Sequence, residues 1–268
     1  MNGIPSIFVI SAGAAVIAIV GFLIVHRVIK PINMDQHQGF LDAMLSIVGT
    51  LVSILLGLLV AAALSRYQAL EQSIDSEAAN VAQVGRISWG LGMSPEAKKL
   101  RALCEQYCDE VVNEEWPAMA QAHVSQKVWQ TYAHLLGVVV NLHPTSNGET
   151  NLHQALLTAV QQIGDGRRQR ILVLHDTWIQ HLMPMLMVCS AIVLVFAYLY
   201  AKQGNIWHGV LICFVAVALG GNLGLVLLLS NPFSGDFKIL PTGFELNSKV
   251  MREIDSRPDL QKILRNLD

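Results

Sequence analysis

Four stretches of this chain, residues 4–25, 43–64, 182–200 and 207–230, contain no Asp, Glu, Lys or Arg. Each is long enough to cross ~30 Å of hydrocarbon as a helix rising ~1.5 Å per residue. A charged fraction of 14%, against ~25% in soluble domains, agrees with a chain that faces lipid over much of its length. The expectation is an all-α, polytopic membrane protein with four transmembrane helices. The first run begins MNGIPS, without the basic start and small-residue cleavage site of a secretory signal, and reads as a retained span.

The divisions that follow are residues 1–65 for the first two spans, 66–180 for a helical water-facing domain, 181–230 for the third and fourth spans, and 231–268 for a tail. Trp178, Tyr198, Tyr200 and Trp207 stand near the ends of the last two spans, where amphipathic rings favour the interface. Four crossings place both termini and the domain on one side, and loop 26–40 and turn 201–206 on the other. Arg66, Arg167, Arg168, Arg170 and Lys238 flank the domain side, against Arg27, Lys30 and Lys202 opposite. The positive-inside rule then favours a cytoplasmic domain, with both termini on the same side.

The second span does not stop at its polar edge. SRYQALEQSIDSEAANVAQVGRISWGL lacks proline, and Leu70, Ile74, Ala78, Val81 and Val84 recur at helical spacing. One helix to about Trp89 would be ~70 Å long, and its outer half needs partners to cover that stripe. SPEAKKL opens the next helix, with Ser94 as N-cap and Pro95 at the first position, and Pro117 of NEEWP ends or kinks it. A helix over about 122–141 follows, and another from near Thr150 that passes through GDGRRQR into the third span. In the tail, Pro232, Gly235, Pro241 and Gly243 indicate an ordered loop, with a short helix after Asp255.

Several function classes are excluded or unsupported by the residues. The net charge of -2 offers no footprint for nucleic acid. No GxSxG, P-loop or GxGxxG occurs, so no enzyme and no cofactor is expected. Cys104 and Cys108, one turn apart, read as reduced structural thiols, and Cys189 and Cys213 as small hydrophobes within spans. His123, His134, His143 and His153 have no HExxH spacing. Asp109, Glu110, Glu114 and Glu115 lack the glycine and alternation of a calcium loop and read as a solvated helix face. No metal site is expected.

One face of the second span carries Ser46, Gly49, Thr50, Ser53, Gly57 and Ala61 at spacings of three and four. In lipid, such a face is either a close helix contact or, with copies of the helix around an axis, a pore wall; Ser46, Thr50, Ser53 and Gly57 are the pore-lining candidates. Asp42 and Arg66 bracket this span, as interface anchors or as charged rings at the two pore mouths. Charge-free spans argue against proton relays and ion-coupled transport, which keep ionisable groups at membrane depth. GGNLG in the fourth span marks either a close helix crossing or a local unwinding.

GTLVSILLGLLVAAALSRYQALEQSIDSEAANVAQV, NEEWPAM, RRQR before the third span and the terminal NPFSGDFKILPTGFE together resemble the bacterial bestrophin-like membrane protein family. The resemblance implies a likeness to bestrophins: oligomeric anion channels with cytosolic helical domains. The second span departs from the bestrophin pore helix, with Ile, Leu, Val and small residues in place of several Phe. Asn231, Pro232, Phe233, Ser234, Gly235 and Asp236 form the family's terminal signature, read here as a structural turn in which Asp236 caps a helix or pairs with Arg66 or Arg170. The function expected is a homo-oligomeric ion channel, its partners being copies of itself, membrane lipid and inorganic ions. The alternative is a membrane-anchored scaffold or stress sensor whose helical domain, large for a bare pore, binds a cytosolic protein.

Overall fold

A computed structural model describes residues 6–28, 38–91, 94–200 and 206–257. Among them the secondary structure is helical, with no strand: α1 (Ser6–Val28), α2 (Gln38–Gly90), α3 (Pro95–Glu110), a π-helical turn (Val111–Glu115), α4 (Trp116–Met119), α5 (Gln126–Val140), α6 (Asn147–Leu174), α7 (Trp178–Tyr200), α8 (Ile206–Leu229) and α9 (Thr242–Ser256). Most of loop 26–40, turn 201–206 and the short helix expected after Asp255 lie outside the described residues. The chain divides into two compact units, one of Met1–Tyr67 with Thr177–Lys238 and one of Gln68–Asp176 with Ile239–Asp268. The single 53-residue α2 contributes to both.

Among the described residues four helices are long and apolar enough to cross a membrane, and the first unit holds the apolar stretches of 6–25, 42–67, 178–199 and 207–229. Its core is thin. Val52 and Leu56 of α2 pack with Leu186 and Val193 of α7, Ala18 of α1 with Ile212 and Ala216 of α8, and Ala63 with Val226 and Leu229. Outward faces stay apolar, with Ile17, Leu51, Leu58, Leu211 and Phe214 all more than half exposed. Aqueous solvent does not tolerate so continuous an apolar surface, and lipid does. GGNLG is a close crossing with no unwinding: a Cβ on Gly220 would stand 2.4 Å from the Ala14 Cβ, and one on Gly224 3.1 Å from Ile10. Small residues let α1 and α8 approach where dispersion is the main attraction.

The second unit is built around residues 68–90 of α2, whose Leu70, Ile74, Ala78, Val81 and Val84 are all buried. Ser94 caps α3, its hydroxyl accepting the Ala97 N–H at 3.0 Å. Ser125 and Ser146 cap α5 and α6 in the same manner. The Glu149 carboxylate accepts from the Thr145 N–H and hydroxyl at 2.7 and 2.8 Å, which holds it below the usual carboxylate range.

Pro117 neither ends nor merely kinks the helix that precedes it. Proline supplies no N–H for the carbonyl four residues back. The chain widens there into a π turn, with the Trp116 N–H bonded to the Val111 carbonyl, and stops after α4 in a turn where Ala122 takes a φ of 58°.

Two expectations are corrected by the helices. The α6 helix does not run into the third span: it ends at Leu174, and residues 175–177 separate it from α7. The tail is not a surface loop throughout, because Thr242–Ser256 is α9, which packs on α3. Gly243 is there a contact residue, since a Cβ on it would stand 2.9 Å from the Ala78 Cβ. Two Gly and two Pro resembled a loop because only the first Gly, Gly235, has the positive φ that glycine favours.

Candidate functional site

At 100° per residue the membrane part of α2 has three sectors. Val52, Leu56 and Ala63 form the buried one, packed on α7 and α8. Ile47, Leu51, Ile54 and Leu58 form an exposed branched apolar sector. Ser46, Thr50, Ser53 and Gly57 form the third, about 100° from the apolar sector, and all four are exposed. The Thr50 hydroxyl donates to the Ser46 carbonyl at 2.7 Å, so it carries its own partner. Nothing lies within 4 Å of the place a Cβ would take on Gly49 or Gly57. Within one chain, therefore, the small-residue face is not a helix contact.

At the ends of this span, Asp42 is exposed, and the Arg66 guanidinium lies 4.7 Å from the ring centroid of Trp178. The terminal signature forms a compact turn after α8. The Asn231 side-chain amide donates to the Leu227 carbonyl at 3.1 Å and the Ser234 N–H to the Asn231 carbonyl at 3.2 Å. Pro232 and Phe233 are buried, Ser234 is exposed, and Gly235 takes a φ of 82°.

Of the partners considered for Asp236, the structure shows the helix cap: its carboxylate accepts the backbone N–H of Ser6 at the start of α1. Arg170 is engaged elsewhere. The Ser6 hydrogen bonds hold the Asp236 carboxyl below its ordinary value. A depressed carboxylate stabilises above the unfolded value, ~3.9, and loses that contribution as pH falls through the lower folded value. The Tm difference between wild type and Asp236→Asn is expected to be constant above about pH 5 and to close below about pH 4.

The largest feature of the second unit went unread in the sequence. Arg170 of α6, fully buried, donates through Nε and Nη2 to the two carboxylate oxygens of Glu77 on α2, both at 2.7 Å. Its Nη2 also reaches Glu115 of the π turn at 3.0 Å. Arg167 donates to the same Glu115 at 2.6 and 3.1 Å, and the Tyr107 hydroxyl to Glu77 at 2.7 Å. Trp116 and Phe244 rings stand 5.3 and 5.8 Å from the Arg170 guanidinium. Two guanidiniums balance two carboxylates, so the cluster is buried without net charge.

Burial opposes the Arg170 charge, but Glu77, Tyr107 and Glu115 outweigh it and hold its proton more tightly than usual. Burial, and then Glu77, push the Tyr107 phenol well up. Glu110 is also buried, accepting from Thr131 at 2.5 Å and Gln106 at 2.8 Å. The solvated face read over 109–115 is thus corrected. Of its four acids only Glu114 is exposed, paired with Lys127 at 2.6 Å, while Asp109 is partly covered and meets Arg252.

A signal for the cluster was present. Glu77 lies on the apolar stripe Leu70–Ile74–Val81, and Arg167 and Arg170 continue the buried stripe Leu156–Val160–Ile163 of α6. Charges at core positions of two helices call for each other.

Cys104 and Cys108 are buried free thiols, and burial pushes Cys104 up to about 12, which makes it a poor nucleophile. His153 bonds the Val139 carbonyl at 2.9 Å, and His123, His134 and His143 are exposed. Among the described residues no group of three His, Cys, Asp or Glu is placed to hold a metal.

The fold recurs in solved structures. A variant of a bacterial bestrophin homologue from Klebsiella pneumoniae superposes with a TM-score of 0.63 at 10% identity, over 94% of this chain and 98% of that one. A second variant gives 0.64 at 11%, over 94% and 97%. A protein described only as a membrane protein gives 0.65 at 8%, over 94% and 98%. No curated protein matches the chain by sequence. The family model described as Bestrophin-like domain matches residues 12–244. With nearly the whole helical fold covered by that match, this membrane protein belongs to the Bestrophin-like family.

Proposed function

We propose that the protein is a homo-oligomeric channel for passive ion flow, with α2 from each copy lining the pore through Ser46, Thr50, Ser53 and Gly57. The observation that carries the reading is the exposed small and hydroxylated sector of α2, distinct from both its packed and its branched apolar sectors. Lipid is best met by branched apolar side chains, and the neighbouring sector supplies them. Hydroxyls and bare backbone are suited to water and ions around an axis. Asp42 and Arg66 stand at the two mouths, where rings of like charge bias entry. The absence of Asp, Glu, Lys and Arg within the four runs favours a passive path over a coupled one. The family resemblance supports anions as the current carriers, and an inner-membrane location with the helical unit and both termini in the cytoplasm.

Protein reconstituted in a planar bilayer is expected to conduct, with a reversal potential in a KCl gradient near that of chloride. Thr50→Trp is expected to lower conductance by more than about ten-fold by filling the axis, while Ile54→Trp on the lipid-facing sector leaves it unchanged. A silent bilayer across voltage and pH, or equal effects of the two substitutions, would refute this reading.

A further inference from the structure

The second unit carries two apolar features turned away from its core. One is an open groove of about 560 Å³ between α5 and α6, with Trp129, Tyr132, Gly164, Asp165, Arg168 and Leu172 in its lining. Trp129 is 51% and Leu172 57% exposed. The floor is built of stacked groups: Trp129 and Tyr132 rings stand 5.6 Å apart, and the Arg167 guanidinium, bonded to Glu115, lies 5.7 Å from the Trp129 ring. Gly164 leaves the space that the Tyr132 hydroxyl fills, since a Cβ there would stand 2.2 Å from it.

The other feature is the outer face of α9. Phe244 and Ser248 turn inward, while Leu246 and Val250, one turn apart, are 62% and 44% exposed. An amphipathic helix has no use for two branched residues on its water-facing side.

Charge matches the two faces. Glu245 and Lys249 flank the α9 ridge, one turn apart, and Asp165 and Arg168 flank the groove, also one turn apart. All four are exposed and have no ion pair within the described residues. Each face thus offers one acid and one base at matching spacing, beside an apolar element that the other lacks. A ridge and a groove on different elements of the same unit form a heterologous contact, the kind that closes into a ring when copies repeat.

We infer that α9 of one copy docks in the α5/α6 groove of the next, with Leu246 and Val250 against Trp129 and Leu172, Glu245 facing Arg168 and Lys249 facing Asp165. This rests on the homo-oligomeric reading above and names the surface outside the membrane that holds the ring together. Trp, Tyr and Arg in a preformed hollow are the residue types that dominate interface energies.

The test uses the full chain purified in detergent. Asp165→Cys combined with Lys249→Cys is expected to give, on mild oxidation, a reducible ladder of covalent species from dimer to full assembly, absent from wild type. Trp129→Ala is expected to weaken self-association at least about ten-fold, read as subunit count against dilution by mass photometry, with helical content by circular dichroism unchanged. An oligomeric wild type whose double-cysteine variant gives no ladder, and whose association is unchanged by Trp129→Ala, would overturn the docking while leaving the homo-oligomer intact. A monomeric wild type would overturn both.

Discussion

Arg170→Met is expected to destabilise the helical unit by about 3–5 kcal/mol, a large share of the roughly 5–15 kcal/mol that holds an ordinary native fold. The substitution keeps an unbranched apolar stem but removes the guanidinium that meets Glu77 through two bonds of 2.7 Å and Glu115 through one of 3.0 Å. Both carboxylates are fully buried. Glu77 would keep only the Tyr107 hydroxyl among its present donors, and Glu115 would keep Arg167. An uncompensated buried charge is the expensive outcome, more so than the loss of the pair itself. Glu77→Gln placed in the Arg170→Met background is therefore expected to recover roughly 1–3 kcal/mol rather than add to the damage. Arg170→Lys is expected to fall between, because an ammonium cannot make the two-pronged contact. Denaturant unfolding followed by circular dichroism measures all three. A loss under about 1 kcal/mol for Arg170→Met would show that the cluster is dispensable.

Phe244→Ala is expected to cost about 3–5 kcal/mol in the same unit. The ring is 0% exposed, 6.1 Å from Trp116 and 6.4 Å from Tyr107 by centroid, and it lies against the Arg170 guanidinium. Removal opens a cavity beside the buried charges, and water entering it would weaken every ion pair there. The prediction separates two views of the tail. If residues 239–257 lay on the surface, the effect would stay within about 0.5 kcal/mol. Asn247, whose amide donates to the Ala78 carbonyl at 2.6 Å, and Trp116, whose indole donates to the Ile239 carbonyl at 3.0 Å, join the tail to the same core.

These two sites show where reading the chain alone reaches its limit. Local rules identified the apolar runs, the uninterrupted α2 and the Ser94–Pro95 helix start, because length, absence of charge and a capping hydroxyl are properties of neighbours in the chain. The GGNLG crossing was one of two readings left open, and the depth of the contact with Ala14 decided it. The buried cluster was missed because it joins residues 77, 107, 115, 167 and 170. A run such as NEEWP resembles a surface when its partners lie some 50 positions away. The π turn at Val111–Glu115 compounds this, since it breaks the 3.6-residue period used to assign faces. The tail misled for a different reason: Pro241 and Gly243 stand at the start of α9, where proline precedes the helix and glycine permits contact with Ala78, rather than in a turn.

The most direct test of the α2 assignment is a single-particle image of the full chain in lipid nanodiscs. A closed ring of subunits with an axial opening is expected, with Ser46, Thr50, Ser53 and Gly57 of every copy facing that opening while Ile47, Leu51, Ile54 and Leu58 turn away. A single chain, a ring sealed by packed helices along its axis, or the four small residues turned to lipid would contradict it.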